Sequence, residues 1–335
     1  MDTILEIVEL KTYFFAKDST VKAVDGVSFN IKAGETFGLV GESGCGKSAL
    51  CRSIIRLVHE PGRIVSGQIK YKGKDIVKLS EKEMRSIRGK QIGMIFQEPM
   101  TALNPVLKIK EQIFESFNGM GMTKKQKYDR AIDLLRLVGI PSPEIRIEEY
   151  AHQFSGGMRQ RAMIAIALAA QPKILLADEP TTALDVTIQD QIIKLINGIK
   201  EKLGMSVILV THDLGVVSQM CDRVAVMYAG HIMEMTDTIT LFSTPRNPYT
   251  LGLINSLPTG KEKGGKLEPI QGAPPDLGNL GPGCPLEPRC KYVGEKCKTE
   301  LPEIREISKG HFSRCHYIEK MDGVKGLIEP DKEVV

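Results

Sequence analysis

The stretch from Thr36 to Leu57 constrains this chain more than any other. A short apolar run, Thr36-Phe37-Gly38-Leu39-Val40, precedes Gly41-Glu42-Ser43-Gly44-Cys45-Gly46-Lys47-Ser48, and Ala49 to Leu57 then carries apolar residues at helical spacing. That order reads as strand, glycine loop and helix, and the loop fits the G-x-x-x-x-G-K-[ST] pattern at every fixed position. Such glycines let the backbone turn tightly, so that N–H groups from Gly41 through Ser43, Gly44, Cys45, Gly46, Lys47, Ser48 and Ala49 face one hollow. The positive end of the following helix points into the same hollow. The expected occupant is a polyphosphate, with Lys47 reaching its β- and γ-phosphates and the Ser48 hydroxyl taking one position on a magnesium ion.

At 335 residues the chain is long for one domain and suits a large domain with an appendage, and with 42% hydrophobic residues it can bury a core. Its 45 basic and 41 acidic residues leave a net charge of +4, too evenly mixed to argue for a nucleic-acid partner. The apolar run Ala162–Ala170 is far short of the about 18 residues that span a bilayer, and no charged leader followed by an apolar block opens the sequence. These features predict a soluble, cytosolic chain.

Along the chain, Ile4–Leu10 and Val27–Ile31 alternate like strands on either side of the aromatic segment Tyr13-Phe14-Phe15, which could stack on a base or pack in a core. Gly67–Tyr71 and Gly73–Asp75 read as a hairpin fragment, and Gln91–Phe96 as a buried strand ending at Gln97. From about Asn104 to Tyr150 the pattern is helical, notably over Ile109–Phe117 and Gln126–Val138. A second glycine signal follows: Phe154-Ser155-Gly156-Gly157-Met158 leads into an apolar helix. There Ser155 suits an N-cap, and the two glycines expose backbone N–H groups to an anion.

Lys173–Ala177 is a buried strand ending in Asp178-Glu179. Strand alternation would send the two carboxylates to opposite sides, so that Asp178 orients magnesium and Glu179 acts as general base on the attacking water. Ser206–Thr211 is a third buried strand, and it ends at His212. The phosphate loop, Gln97, Asp178, Glu179 and His212 therefore each follow an apolar strand. In a parallel, doubly wound sheet ligands bind beyond such carboxyl ends, so these residues are expected to surround one γ-phosphate.

With these residues in place, the chain resembles the ATP-binding subunits of ABC transporters over about Ile4–Thr236. The matching motifs are a Walker A loop at Gly41–Ser48, a Q-loop at Gln97, a signature at Phe154–Met158, a Walker B strand ending at Asp178-Glu179, a D-loop at Ala183-Leu184-Asp185 and a switch histidine at His212. The resemblance implies a P-loop NTPase α/β fold of the ABC type with a helical insertion. It also implies closure of two subunits head to tail, so that Ser155, Gly156 and Gly157 cap ATP held by the partner's loop. Tyr13 is placed against adenine, with Phe14 as the fallback. Gln97, Ser48 and Asp178 become magnesium ligands, and His212 keeps the γ-phosphate and Glu179 in register. Phe154 and Met158 depart from the commonest Leu-Ser-Gly-Gly-Gln signature but leave the phosphate-facing Ser-Gly-Gly intact.

A narrower similarity to the D-type ATPase subunits of bacterial dipeptide, oligopeptide and nickel importers rests on Gln97–Pro105, Phe154–Arg161, Asn247-Pro248-Tyr249-Thr250, Ser256-Leu257-Pro258 and the proline-rich Gly272–Leu277, an expected irregular connector. It implies ATP-driven peptide uptake at the cytoplasmic face of the membrane. The implied partners are a second, F-type ATPase subunit, two transmembrane permease subunits and, indirectly, an extracytoplasmic solute-binding protein, with no role for nucleic acid. A nickel importer, a soluble ABC ATPase and a redox-regulated module are the alternatives.

Of seven cysteines, Cys284, Cys290, Cys297 and Cys315 cluster near the end. In a cytosolic chain such a cluster suggests metal before disulfides, and four thiolates suit tetrahedral zinc or a four-iron cluster. The family resemblance favours [4Fe-4S], with Zn2+ as the alternative. The expected organisation is a nucleotide-binding domain over 1–255, with a helical subdomain at about 104–160, and a metal-binding extension over 256–335.

Overall fold

The structure, a computed structural model, describes residues 2–182, 184–257 and 270–327. Ala183 of the expected D-loop and Pro258 lie outside the described residues. In chain order the strands are β1 (Thr3–Phe15), β2 (Thr20–Lys32), β3 (Thr36–Val40), β4 (Gly62–Tyr71), β5 (Lys74–Asp75), β6 (Ile92–Ile95), β7 (Ile174–Asp178), β8 (Ser206–Thr211), β9 (Arg223–Tyr228), β10 (His231–Asp237), β11 (Ile304–Ser308) and β12 (His311–Arg314). The chain divides into two compact units, one of Met1–Val77 with Thr211–Val335 and one of Lys78–Val210.

In the first unit, an antiparallel sheet in the order β2-β1-β4-β5 buries Leu5, Ile7 and Leu10 of β1 against Val24, Val27, Ile31 and Ile69. The aromatic segment is not a break between strands. Thr12 and Phe14 pair with Val24 and Val21 on one side, and with Ile64 and Gly62 on the other. Aromatic and β-branched residues fit a pleated surface, and here they carry the sheet on. β5 returns against β4 through Lys72-Gly73, both in the left-handed region that a two-residue hairpin turn requires.

The same unit contains β3, every residue of which is buried, paired in parallel with β9 from Phe37↔Arg223 to Val40↔Val226. Beyond the strands read from the sequence, the sheet continues antiparallel. β10 turns back on β9 through Ala229-Gly230, at φ 47° and 82°, and β12 and β11 then add antiparallel. The two-residue links from β9 to β10 and from β11 to β12 are too short to supply the crossover that a parallel pair needs. The stretch Gly272–Leu277 is irregular, as its prolines imply.

The second unit is built on the parallel set β6-β7-β8, with Ile92↔Ile174 and Asp178↔Val210 near its two ends. All residues of these strands are buried, which explains their continuous apolar runs. Helices replace strands between 104 and 150, at Ile109–Ser116 and Lys124–Leu137; Thr123 and Gln126 form a capping box that starts the second. Two further helices, Gly156–Leu168 and Val186–Leu203, have Ser155 and Asp185 as N-caps, and Gly204 ends the latter in the left-handed conformation.

Candidate nucleotide site

The phosphate loop leaves β3 at Gly41 and enters the helix Lys47–Ile54 at Gly46. Two of its glycines are required by space as well as by backbone angle. A Cβ on Gly41, at φ 153°, would meet the Met227 carbonyl oxygen at 2.1 Å, and one on Gly46, at φ 110°, would meet that of Ala23 at 1.9 Å. Neither neighbour can move, because both are backbone. Gly44 lies in open space, and its φ of 79° alone favours glycine. Lys47 is buried, and its Nζ donates to the carbonyls of Gly41 (2.8 Å) and Glu42 (2.9 Å), which holds the cation over the loop. Ser43 and Gly44 are exposed at the crest; Ser48 and Ala49 are half-buried in the first helical turn. Burial raises the Cys45 thiol above its ordinary value, which keeps it protonated and chemically quiet beside Lys47.

In the second unit β7 ends at Asp178, 1% exposed, and the chain then turns sharply. Glu179 has φ 47°, and its N–H donates to the Val210 carbonyl at 2.9 Å. Glu179 therefore leaves the strand at a left-handed kink instead of continuing its regular alternation. The Glu179 Oε2 accepts from Gln97 Nε2 at 3.1 Å and from Thr182 Oγ1 at 2.8 Å. Gln97 lies two residues beyond β6 and Glu179 one beyond β7, so adjacent parallel strands deliver them to the same end of this unit. A carboxylate held by two donors at a strand end has a fixed direction, as a general base for water must have. Thr182 is a member of this group that sequence reasoning missed.

The signature serine accepts from the Met158 N–H, and Ser155 and Gly156 are exposed while Phe154 is buried. The helix start is thus an open surface with its apolar flank tucked in. His212 is exposed directly after β8, and Thr211 Oγ1 accepts from the next N–H, that of Asp213, which in turn caps the helix Leu214–Met220. Tyr13 is half-buried on β1, and its hydroxyl donates to Asp25 Oδ1 at 2.7 Å; burial first, then this bond, pushes the phenol upward. Phe14 packs beside Gly62, where a Cβ would meet its ring at 2.5 Å. Of the two aromatics, Tyr13 is the one tied down by a polar anchor.

The four clustered cysteines line a single small cavity, together with Leu286, Tyr292 and Tyr317 among others. Cys290 and Cys315 Sγ accept N–H bonds from Tyr292 and Tyr317, at 3.3 and 3.4 Å. Desolvation pushes the thiols of Cys284, Cys290 and Cys315 up, the first to about 12 and the last to about 11. Among the described residues, however, no three His, Cys, Asp or Glu side chains are arranged to hold a metal ion. The expected metal-binding extension is not supported by this arrangement.

Residues 24–182 match the family described as ABC transporter, and residues 233–297 the oligopeptide/dipeptide transporter C-terminal region. The oligopeptide transport ATP-binding protein AppD of Bacillus subtilis is 49% identical over 322 residues, which are 96% of this chain and 98% of that one. The chain belongs to the ATP-binding proteins of peptide ABC transporters. The dipeptide transport ATP-binding protein DppD of Escherichia coli is 43% identical over 94% of this chain and 96% of its own. Among solved structures, an ATP-binding cassette, MJ0796, in a dimeric post-hydrolysis state bound to ADP and Pi aligns with a TM-score of 0.63 and 28% identity. That alignment covers 70% of this chain and 98% of the cassette. The expected P-loop ABC ATPase fold is thereby shown for this member of the family, and no helix among the described residues is long and apolar enough to cross a membrane.

Proposed function

We propose that this chain is the ATP-hydrolysing subunit of an importer that drives di- and oligopeptides across the cytoplasmic membrane, docked peripherally on its inner face. The observation that carries the reading is the buried Glu179, directed by Gln97 and Thr182, in a chain whose 233–297 segment matches the peptide-transporter C-terminal region. ATP lies with its polyphosphate in the loop of Gly41, Ser43, Gly44, Cys45, Gly46, Lys47, Ser48 and Ala49, and with adenine against Tyr13. Lys47 offsets charge on the γ-phosphate as its bond to the leaving oxygen breaks. Glu179 takes a proton from the attacking water, while Gln97 and His212 keep that water and the phosphoryl group aligned. Ser48, Gln97 and Asp178 would hold Mg2+, which would supply charge neutralisation across the phosphates.

Ser155, Gly156 and Gly157 cap the ATP of a second, F-type ATP-binding subunit, and two permease subunits with a solute-binding protein complete the assembly. The functional division is a cassette over 1–255, including the helical part at about 104–160, and an extension over 256–335. In that extension Cys284, Cys290, Cys297 and Cys315 would hold a [4Fe-4S] cluster, a reading supported by their common cavity.

The Glu179→Gln variant tests the core of this reading. It should bind ATP as the parent does, lose at least about two orders of magnitude in turnover, and fail to support peptide uptake. Near-normal hydrolysis would refute the general base, and normal uptake would refute the importer.

A further inference from the structure

We infer that Arg289, from the cysteine-bearing segment, is a positioning residue for the phosphate loop, acting on it through Glu42. The inference rests on the ATPase reading and adds to it a determinant of nucleotide affinity far from the loop in sequence. Arg289 closes the short turn Glu287–Arg289, one residue before Cys290, and its side chain is 5% exposed. All five of its guanidinium donors are used. Nη1 and Nη2 grip the Glu42 carboxylate in bidentate fashion at 2.6 and 2.8 Å. Nη1 also donates to Tyr228 Oη at 3.1 Å, Nε to the Gln271 carbonyl at 3.0 Å, and Nη2 to that of Ile270 at 3.5 Å.

Glu42 is held on every side. Its N–H donates to Tyr249 Oη at 2.9 Å, its carbonyl accepts from Lys47, and its carboxylate is taken by Arg289. Tyr249 and Tyr228 are themselves almost fully buried, with ring centroids 4.5 Å apart. Two effects follow. The first segment of the loop is fixed before any nucleotide arrives, which spares the ordering cost on binding. A carboxylate one residue inside an anion-binding loop would also repel a polyphosphate, and the bidentate cation cancels that charge. Lysine could supply the charge but not the fork.

The test uses the intact chain and equilibrium binding of MgATP, with the thermal midpoint as a check on folding. Arg289→Met should raise the dissociation constant about tenfold, in line with a charge-assisted bond of this kind, and the kinetic loss should fall on KM more than on kcat. Arg289→Lys should lie between the two. Adding Glu42→Gln to Arg289→Met removes the stranded carboxylate and should recover at least about threefold, whereas a purely structural role would make the double variant worse. Unchanged affinity in a folded Arg289→Met protein, or a double variant no better than the single, overturns the inference. If Arg289→Met does not fold, an Arg289→Lys protein with parental affinity overturns it equally. A parent chain that binds no MgATP would bring down the ATPase reading beneath it, whereas a binding parent with insensitive variants would sink this inference alone.

Discussion

Replacing Asn247 by alanine should cost this protein about 3 kcal/mol, although the residue touches no nucleotide-binding group. Its side chain is 0% exposed and makes three hydrogen bonds. Nδ2 donates to the carbonyls of Met233 at 3.1 Å and Arg314 at 3.0 Å, and Oδ1 accepts from the Tyr249 N–H at 3.0 Å as the N-cap of the helix Pro248–Asn255. Met233 lies at the register shift between Ile232 and Glu234 in β10, and Arg314 ends β12, so one amide joins two strands and a helix. Losing the cap is worth about 1 kcal/mol. The two carbonyls left without donors in a dry site add about 1 kcal/mol each or more. For a chain of 335 residues the sum corresponds to roughly 4 °C in melting temperature. Thermal and urea unfolding of the variant measure it. Asn247→Asp separates the terms, since it keeps the capping oxygen but sets a carboxylate against two carbonyls. A parent-like Asn247→Asp protein, or a loss under about 1 kcal/mol for Asn247→Ala, would refute the reasoning.

Two further outcomes are expected. Burial, and then the nearby Arg314 cation, lowers His231 to about 4, against the opposing pull of Asp25. A depressed histidine is neutral in the folded state, so stability is intact above pH about 6.5 and falls as protons bind the unfolded chain. The loss reaches about 2 kcal/mol by pH 5, and a His231→Asn protein should show a flatter profile between those values; parallel profiles would contradict the assignment. Protein purified without oxygen should be brown and carry about four iron atoms per chain, lost on chelation or in Cys290→Ser; a colourless, iron-free preparation removes the cluster.

The elements that hold the phosphate loop were legible because local rules decide them. The run before Gly41 is apolar because β3 is buried throughout, and the helix begins where the last glycine ends. The helices between 104 and 150 followed from the spacing of their apolar residues. The antiparallel additions β10, β11 and β12 were not foreseen: β10 and β12 return on β9 and β11 through two-residue turns, and the pairing of β10 with β12, as at Glu234 and Ser313, joins segments far apart in sequence and leaves no periodic trace. Asp178 and Glu179 were found by type and place, but their separation was assigned to alternation, when the chain in fact kinks at φ 47°. Thr182 and Arg289 carried no signal: a threonine after a turn and an arginine beside a cysteine acquire their roles only from the carboxylates they reach.

The pairing of β3 with β9 brings together residues as far apart as Thr36 and Asp222, whose hydrogen bond spans 186 positions. During synthesis the strand that launches the phosphate loop emerges early, while its parallel neighbour within the same unit leaves the ribosome only after the whole of Lys78–Val210. At ordinary elongation rates that delay is roughly 10 to 40 s. Over that interval the intervening unit can fold completely, whereas the one bearing the loop has to wait. The nascent cassette should therefore become competent for nucleotide late, in a step governed by long-range closure rather than by its helices.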